Sequence, residues 1–491
     1  MPGDSPTTGA TPAVADVRLR DRLRADRLGL VGFVVVGATL RFWALGARRL
    51  GFDEAFTALA DRRPLANLFD YLRVRDSHPP LDYLVRLPFA RIAANEFWIR
   101  LPSVLCSVGA LALFAWWMRK RGLAGLVATA FLALSAFQLV HGREARMYAE
   151  LELIGIAAAV VTDTWLRRPG RWHGPAIGAL VAIGLLTHVS MLLLGFGLLF
   201  APGLRRDRDA WRWRRGLGSG LLAWAVLWGP SFVVQSQGGH SSWIPPTSFL
   251  RLVETVGGLM TPTPSLQLGA LVAVAAGAVM IFRADGKLGT VFVVSVVAPA
   301  ALATIAGLVA PVMLDRTLTL LSWGPWVALG YLVAATAQRS RLVGLGVFGV
   351  LAWVMVPLAI DAIAAPSNVD RAIRHLERVT GEGDVVASDP GLRLPLLVWS
   401  LGVRRDMPVR SISMRQRRWT EGVVLGKSPP TGRVWVLTSV RRPANGSRAH
   451  RCAADWSVGG LRVSCLQRRQ IVPDQGAAPF TVQRTASSGV A

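Results

Sequence analysis

Apolar stretches long enough to cross a bilayer recur from Leu28 to about residue 365, and short Arg-rich connectors separate them. Each stretch is close to the ~20 residues that a transmembrane helix needs. Hydrophobic residues make up 52% of the chain and the mean hydropathy is +0.40, which excludes a disordered protein. The net charge is nevertheless +25, although only 17% of the residues are charged. A polytopic α-helical membrane protein with basic loops satisfies both observations, whereas a nucleic-acid-binding protein does not.

The positions of the basic residues predict the topology, because Lys and Arg near helix ends resist translocation. Residues 1–28 form a basic tail that we expect to be cytoplasmic, and no cleavage site follows the first apolar run. The apolar segment 175–202 lies between two basic connectors, so we expect two short helices that turn near Thr187 and His188; a re-entrant hairpin is the alternative. We predict about eleven crossings over residues 29–365, in the plasma membrane, with the C-terminus outside.

The composition changes sharply from apolar to mixed at about residue 366. Helical spacing over 368–380 alternates with short strand-like runs, which lie at 384–388, 433–439 and 461–467. We therefore expect a small extracytoplasmic α/β domain over residues 366–470, followed by a disordered tail over 471–491.

Three cysteines are too few for a disulfide scaffold, and none of them forms the CxxC spacing of a zinc site. Cys452 and Cys465 both lie in the predicted exported domain, where oxidation is permitted. A disulfide between them is the preferred interpretation, and two unpaired buried thiols are the alternative. Cys106 lies inside a predicted membrane helix and is expected to serve packing.

The first outer loop, predicted over residues 47–100, opens with the adjacent carboxylates Asp53 and Glu54 directly after a membrane helix. Burying ionisable groups at the membrane surface costs free energy, so such groups are usually retained for a function. A carboxylate can take a proton from an attacking hydroxyl, so one of the pair is a candidate general base. Its neighbour would tune that base, bind the acceptor or help to hold a cation. The structural alternative is a simple interfacial helix cap.

Further along the same loop, His78 precedes Pro79 and Pro80. The two prolines forbid a continuous helix through His78 and favour a new helix after it, so the imidazole should be held at a defined bend. A histidine at a helix start can equally be structural.

A third polar cluster contains Glu144, Arg146 and Tyr148 at the outer end of another predicted span. On a helix, Glu144 and Tyr148 would share a face. An arginine at the outer surface offers a fork of donors that suits a phosphate, which makes Arg146 a candidate phosphate ligand. Arg316 lies at a comparable outer end of a later helix, where an ion pair with Asp315 or snorkelling is the alternative.

Taken together, these motifs resemble the GT-C fold glycosyltransferases of the protein O-mannosyltransferase and aminoarabinose transferase type. The resemblance covers about residues 29–365 and depends on the order and common outer location of short motifs. The late element reads Asp315-Arg316-Thr317, where the family has Tyr after Arg. The matching motifs are Asp53-Glu54, His78-Pro79-Pro80, Ala145-Arg146-Met147-Tyr148, Trp243-Ile244-Pro245-Pro246 in a second outer loop (235–266), and Arg316.

The resemblance implies transfer of a sugar from a polyprenyl-phosphate donor to an envelope acceptor on the outer face, with inversion. It implies that Asp53 is the catalytic base, with Glu54 beside it. Arg146 and Arg316 would neutralise the departing phosphate. An acceptor and sugar pocket would be formed by His78, Glu144, Tyr148 and Trp243.

Several functional alternatives follow from the same residues. Mannose is the expected sugar and arabinofuranose from a decaprenyl-phosphate donor is the alternative, and the acceptor could be a glycan, a lipid or a protein. Asp53, Glu54, His78 and Glu144 offer ligands for a divalent metal, but no dedicated metal spacing is present. A lipid or solute transporter is the main rival class, although its polar residues would be expected near the midplane. An inactive glycosyltransferase-like scaffold is a third alternative.

Overall fold

The computed structural model describes most of the chain, and it combines a helical membrane part, a first outer loop folded into helices, and a mixed sheet. The described residues are 12–203, 206–238, 244, 247–310, 312–364, 368–388, 394–407, 409–411, 433–439, 451–458 and 461–466.

The helices follow the predicted order of apolar stretches. A π-helical turn, Val293–Val297, joins two of them, and a 3-10 turn, Asp315–Leu321, precedes another. Up to residue 364 they are α1 (Pro12–Phe42), α2 (Phe52–Ala60), α3 (Leu65–Arg75), α4 (Leu81–Ile92), α5 (Glu96–Met118), α6 (Gly122–Leu134), α7 (Ala136–His141), α8 (Tyr148–Arg167), α9 (His173–Thr187), α10 (Met191–Leu199), α11 (Arg208–Ser236), α12 (Phe249–Gly258), α13 (Pro264–Ala284), α14 (Gly286–Phe292), α15 (Ala298–Val309), α16 (Gly324–Arg339) and α17 (Arg341–Ala364).

Within the described residues, five helical segments are long and apolar enough to cross a membrane: α5, α11, α13, the continuous α14–α15 unit and the segment that begins with α17. A sixth is added if α16 and the 3-10 turn before it, bent by 61°, form one span. The polytopic helical fold is therefore confirmed. The count of about eleven crossings stays a prediction, since α6 and α9 are apolar but shorter.

The two short helices and their turn are present, because α9 ends at Thr187 and α10 begins at Met191. That each of them crosses the membrane stays a prediction. Glycines bring α9 against α11 at main-chain contact. A Cβ on Gly216 would lie 2.0 Å from the carbonyl oxygen of Gly174, and one on Gly220 would lie 2.2 Å from that of Gly178. Small residues four apart on both helices permit this approach, as in many membrane helix pairs.

The first outer loop forms α2, α3 and α4, and Pro80 is the N-cap of α4, as the double proline predicts. One face of α2 packs against the C-terminal domain. Ala55 and Ala58 of α2 share a hydrophobic core with Leu397 and Trp399 of that domain. The loop therefore lies between the helical part and the C-terminal domain and contacts both.

The C-terminal domain contains a five-stranded mixed sheet in the order β2-β1-β3-β5-β4. β1 is parallel to β2 and β3, whereas β5 is antiparallel to β3 and β4. Helix 368–380 and the three predicted strands are confirmed; β2, β4 and α19 were not foreseen. The elements are α18 (Asn368–Val379), β1 (Val385–Ser388), α19 (Leu394–Leu397), a π-helical turn (Val398–Val403), β2 (Val409–Ser411), β3 (Val434–Ser439), β4 (Arg451–Val458) and β5 (Leu461–Leu466).

Two of the three cysteines differ in their chemical state. Cys465 on β5 is disulfide-bonded, and Cys106 on α5 is a free thiol. Cys452 lies on the neighbouring strand β4, which is paired with β5. Its bond to Cys465 stays a prediction, because the side chain of Cys452 is outside the described part. The predicted disordered tail also lies outside the described residues.

The contact between α9 and α11 predicts opposite effects for two glycines of one helix. Gly216→Ala should destabilise the protein by about 1–3 kcal/mol, because the added methyl group overpacks a main-chain contact. Gly218→Ala meets nothing within 4 Å and should be neutral or stabilising by up to about 1 kcal/mol. Thermal unfolding of both variants in detergent measures the difference, and equal melting temperatures would contradict the close contact.

Candidate active site

Asp53 and Arg316 meet at one end of the helical part, although 263 residues separate them in the sequence. Asp53 lies in the first turn of α2, and Arg316 lies in the 3-10 turn before α16. The Arg316 Nη1 donates to Asp53 Oδ2 at 2.6 Å. The two side chains are 33% and 27% exposed, so the pair remains open to solvent on one side. The predicted base and a predicted phosphate ligand are therefore in direct contact.

Glu54 is buried and its carboxylate is fully engaged by donors. Arg100 donates to it through Nε at 2.7 Å and Nη2 at 2.8 Å, and the amides of Gly51 and Ala145 donate at 2.7 and 2.9 Å. Burial raises the pKa of Glu54, but the Arg100 charge and these hydrogen bonds outweigh it and hold the pKa below its ordinary value. Glu54 thus joins α2, α5 and the segment before Arg146.

Arg146 is buried between α2 and the bend that carries His78. Its Nη1 donates to the Thr57 hydroxyl at 2.8 Å, and its Nη2 lies 3.2 Å from the His78 Nε2. Thr57 in turn donates to the Asp53 carbonyl oxygen at 2.9 Å. Since guanidinium groups only donate, the His78 nitrogen that faces Arg146 has to accept. One continuous polar chain therefore connects His78, Arg146 and the helix turn of Asp53.

Asp76 determines the orientation of the His78 ring. Its Oδ1 lies 2.7 Å from His78 Nδ1, and its Oδ2 accepts a hydrogen bond from the Tyr83 hydroxyl. Burial alone would raise the pKa of Asp76, but the His78 ring and the Arg146 charge outweigh it and hold the pKa well below its usual range. An ionised Asp76 therefore favours a proton on Nδ1 and leaves Nε2 free to accept from Arg146.

Two membrane helices support this bend from behind. The His188 ring, in the turn between α9 and α10, packs against the His78 ring at 5.4 Å between centroids. Gln235 near the end of α11 donates to the carbonyl oxygens of Leu72 and His78 at 2.9 and 3.1 Å. The bend is thus held by side chains from outside the loop.

The expectation that Glu144 and Tyr148 share a helical face is wrong. α7 ends at His141, with Gly142 as its C-cap, and α8 begins only at Tyr148, so Glu144 lies in the intervening turn. The two residues are nevertheless linked through His141. Its Nδ1 lies 2.8 Å from Glu144 Oε2, and its ring packs edge-on against Tyr148 at 5.3 Å between centroids.

A buried cluster of carboxyl groups lies beneath the site. Arg86 pairs with Asp82 and lies 3.5 Å from Asp61 Oδ2, and Arg86 is fully buried. Neither oxygen of Asp61 has a hydrogen-bond partner within the described residues. Burial raises the pKa of Asp61 well above its ordinary value, more than the charges of Arg86 and Arg146 lower it. This cluster joins the C-terminal end of α2 to α4.

The proposed metal ligands do not converge. In the part of the chain that the structure describes, no group of three or more His, Cys, Asp or Glu side chains could hold a metal ion. Asp53 contacts Arg316, Glu54 contacts Arg100, and His78 contacts Asp76. These residues therefore do not fit a metal site in this arrangement.

Trp243, which the sequence analysis assigns to the acceptor and sugar pocket, lies outside the described residues.

Comparison with known proteins reveals the fold. No protein-family model and no curated protein sequence matches this chain. Two crystal structures of ArnT from Cupriavidus metallidurans match over 89% of this chain and 97% of their own. The structure bound to undecaprenyl phosphate has a TM-score of 0.58 at 13% identity, and the apo structure has 0.59 at 14%. The chain has the GT-C fold.

A more distant match is consistent with this fold. The oligosaccharyltransferase of Archaeoglobus fulgidus, tethered to an acceptor peptide with the NVT sequon, aligns at 9% identity with a TM-score of 0.50. The alignment covers 85% of this chain and 69% of the archaeal one. At these identities, the comparisons confirm the expected fold and assign no role to an individual residue.

Several site residues were not foreseen from the sequence. Thr57 follows Asp53 by four positions, so helical spacing could have placed it on the same face. Asp76 precedes His78 by two residues, a separation that suits a hydrogen-bonded bend. Arg100, His188 and Gln235 give no local signal, because their partners lie far away in the sequence.

The buried pair predicts a large effect for Glu54. Glu54→Gln should lower the free energy of unfolding by about 3–5 kcal/mol, because it leaves the Arg100 guanidinium buried without a counter-charge. Glu144→Gln is the control, since that carboxylate is one-third exposed and should cost under about 1 kcal/mol. Denaturant unfolding in detergent measures both values.

The same pair predicts a direction for acid unfolding. Because the folded-state pKa of Glu54 is lowered, its stabilisation is complete above the unfolded pKa of about 4.3 and is lost as the pH falls through the folded value. The wild type should therefore lose stability below about pH 4 more steeply than Glu54→Gln. Parallel pH profiles for the two proteins would contradict this assignment.

Proposed function

We propose that this protein is a membrane glycosyltransferase that transfers a sugar from a polyprenyl-phosphate donor to an acceptor on the outer face, with inversion. The observation that carries the proposal is the contact of Asp53 with Arg316, next to the buried Arg146. A carboxylate and two guanidinium groups at the membrane surface supply a base and phosphate ligands. The fold shared with ArnT from Cupriavidus metallidurans, which was crystallised with undecaprenyl phosphate, supports the same class.

Asp53 is the proposed general base. Its carboxylate takes the proton of the acceptor hydroxyl as that oxygen attacks the anomeric carbon. The bond from this carbon to the phosphate oxygen breaks on the opposite face, and polyprenyl phosphate leaves with the bonding electrons. Base catalysis of this kind contributes about 10²–10⁴-fold to a rate. Glu54 supports Asp53 as a positioning residue, because its own oxygens are occupied by Arg100 and two amides.

Arg316 and Arg146 are the proposed phosphate ligands. As the phosphate leaves, its negative charge grows, and guanidinium groups already in place stabilise that charge without reorganisation. Arg146 is preorganised by Thr57 and His78. Arg316 is held by Asp53 before the donor arrives, and a phosphate that draws Arg316 towards itself leaves the Asp53 oxygen able to accept a proton.

The pocket around these groups has the polarity expected for a sugar. Glu144 presents a partly exposed carboxylate, and the rings of His141 and Tyr148 pack against each other beside it. His78 contributes to this wall and orients Arg146, and Trp243 of the second outer loop remains part of the proposed pocket. Carboxylate acceptors and aromatic faces are the usual means of holding a hydroxylated ring.

Mannose is the proposed sugar, and arabinofuranose is the second candidate. We place the reaction on the outer face of the plasma membrane, with the N-terminus cytoplasmic and the C-terminal domain extracytoplasmic. The Arg-rich composition, in which Lys is rare, suits a GC-rich bacterium whose envelope polymers would supply the acceptor. A transporter is disfavoured because the polar clusters lie at the outer helix ends and in the first loop rather than at the midplane.

The base assignment predicts that Asp53→Asn lowers kcat by at least about 100-fold, because the amide cannot accept the hydroxyl proton at neutral pH. Asp70→Asn is the matched control, since Asp70 is exposed on α3 of the same loop and should leave transfer near the wild-type rate. Transfer from radiolabelled polyprenyl-phosphate mannose and arabinofuranose donors by purified protein is the measurement.

Two outcomes would overturn the proposal. Full transfer by Asp53→Asn would remove Asp53 from the role of base. If neither protein transfers any sugar, while reconstituted vesicles move a lipid or solute, the transporter interpretation should replace the enzyme.

A further inference from the structure

An apolar groove runs along the C-terminal end of α1, the first of the membrane helices that the sequence predicts. It is lined by Val35, Ala38, Thr39, Phe42, Trp43 and Ala44. Trp43 is 62% exposed and Val35 is 58% exposed, so large apolar surfaces remain uncovered by the rest of the chain. A groove of this kind has room for a hydrocarbon chain lying parallel to the helix.

Three arginines surround the same end of α1 and contact main-chain oxygens or a hydroxyl. Arg143 Nη2 donates to the Trp43 carbonyl oxygen at 2.5 Å, and Arg48 Nη1 donates to that of Ala362 at 2.9 Å. Arg41 donates to the Ser107 hydroxyl at 2.8 Å. Within the described residues, none of the three has a carboxylate at ion-pair distance.

The nearest carboxylates do not form an ion pair with these arginines. Glu54 is taken by Arg100, which itself adds a positive charge beside Arg143. Glu152 influences Arg41 only at a distance. Arg143 is 93% buried by side-chain packing, and its Nε has no partner among the described residues. The C-terminal end of α1 therefore carries uncompensated positive charge.

An anion bound beside these arginines would compensate this charge. Burial lowers the pKa of Arg143 to about 10, and the neighbouring charges of Arg100 and Arg48 contribute to the shift. Arginines at outer helix ends also run against the preference of basic residues for the cytoplasmic side. Buried guanidinium groups are stable when an anion pairs with them, and basic pockets between membrane helices bind lipid head groups.

We propose that the groove and these arginines form a binding site for an anionic phospholipid of the outer leaflet. One acyl chain lies in the groove beside Ala38, and the phosphodiester is held by Arg48 and Arg143. The adjoining apolar groove favours a lipid over a free anion. This site is separate from the proposed donor ligands Arg146 and Arg316, and it does not depend on the proposed sugar transfer.

Native mass spectrometry of protein from nanodiscs tests the site, using phosphatidylcholine with phosphatidylglycerol as the minor component. The wild type should retain phosphatidylglycerol in preference to phosphatidylcholine. Arg48→Gln with Arg143→Gln should weaken that preference at least about tenfold, because charge-assisted hydrogen bonds to the phosphate are lost. Arg62→Gln is the control, since Arg62 is exposed in the same outer loop and should leave the preference unchanged.

A second variant distinguishes loss of the lipid site from misfolding. Ala38→Trp fills the groove and leaves every guanidinium in place, so it should also reduce lipid retention while thermal unfolding in phosphatidylcholine nanodiscs stays normal. Unchanged retention in both the arginine and the Ala38 variants would overturn the proposal. Equal competition by soluble glycerophosphoglycerol would indicate a free-anion site. Displacement by polyprenyl phosphate would assign the groove to the donor.

Discussion

The buried contact between Glu54 and Arg100 is the interaction on which the candidate site depends. Two charges that leave water are stable only when their geometry and hydrogen bonds are nearly complete, and here the carboxylate has four donors. Two of those donors are main-chain amides. One belongs to the start of α2 and positions Asp53, and the other belongs to Ala145 and positions Arg146. A single carboxylate thereby sets the distance between the proposed base and the proposed phosphate ligand.

The helix that carries Asp53 belongs to two environments at once. Its polar face, with Asp53, Thr57 and Asp61 four residues apart, is turned towards the arginines of the site. Ala55 and Ala58 instead join the hydrophobic core of the C-terminal domain. This domain is therefore a packing partner of the candidate site, so damage to its core should reach Asp53 through α2.

The architecture was largely predictable, because length, apolarity and the position of Arg are local properties of the sequence. The hairpin at Thr187, the helix after Pro80 and three of the strands followed from such properties. Asp53, Arg146 and Arg316 could be grouped by their common outer location. The partners of these residues could not be predicted, since Arg100 and His188 reach the site only through tertiary packing. Glu144 was misplaced on a helix because its spacing from Tyr148 is helical, whereas Gly142, a residue type that commonly ends helices, caps α7 before it.

The glycine contact between α9 and α11 has a consequence at the opposite end of the helix pair. An α-helix rises ~1.5 Å per residue, so the ten residues from Gly178 to His188 span about 15 Å. A shift of α9 by one residue along its helical screw would move the His188 ring by ~1.5 Å along the axis and rotate it by ~100°, away from His78. The main-chain contact forbids that shift. The position of the His188 ring is thus determined by a glycine contact at the other end of α9.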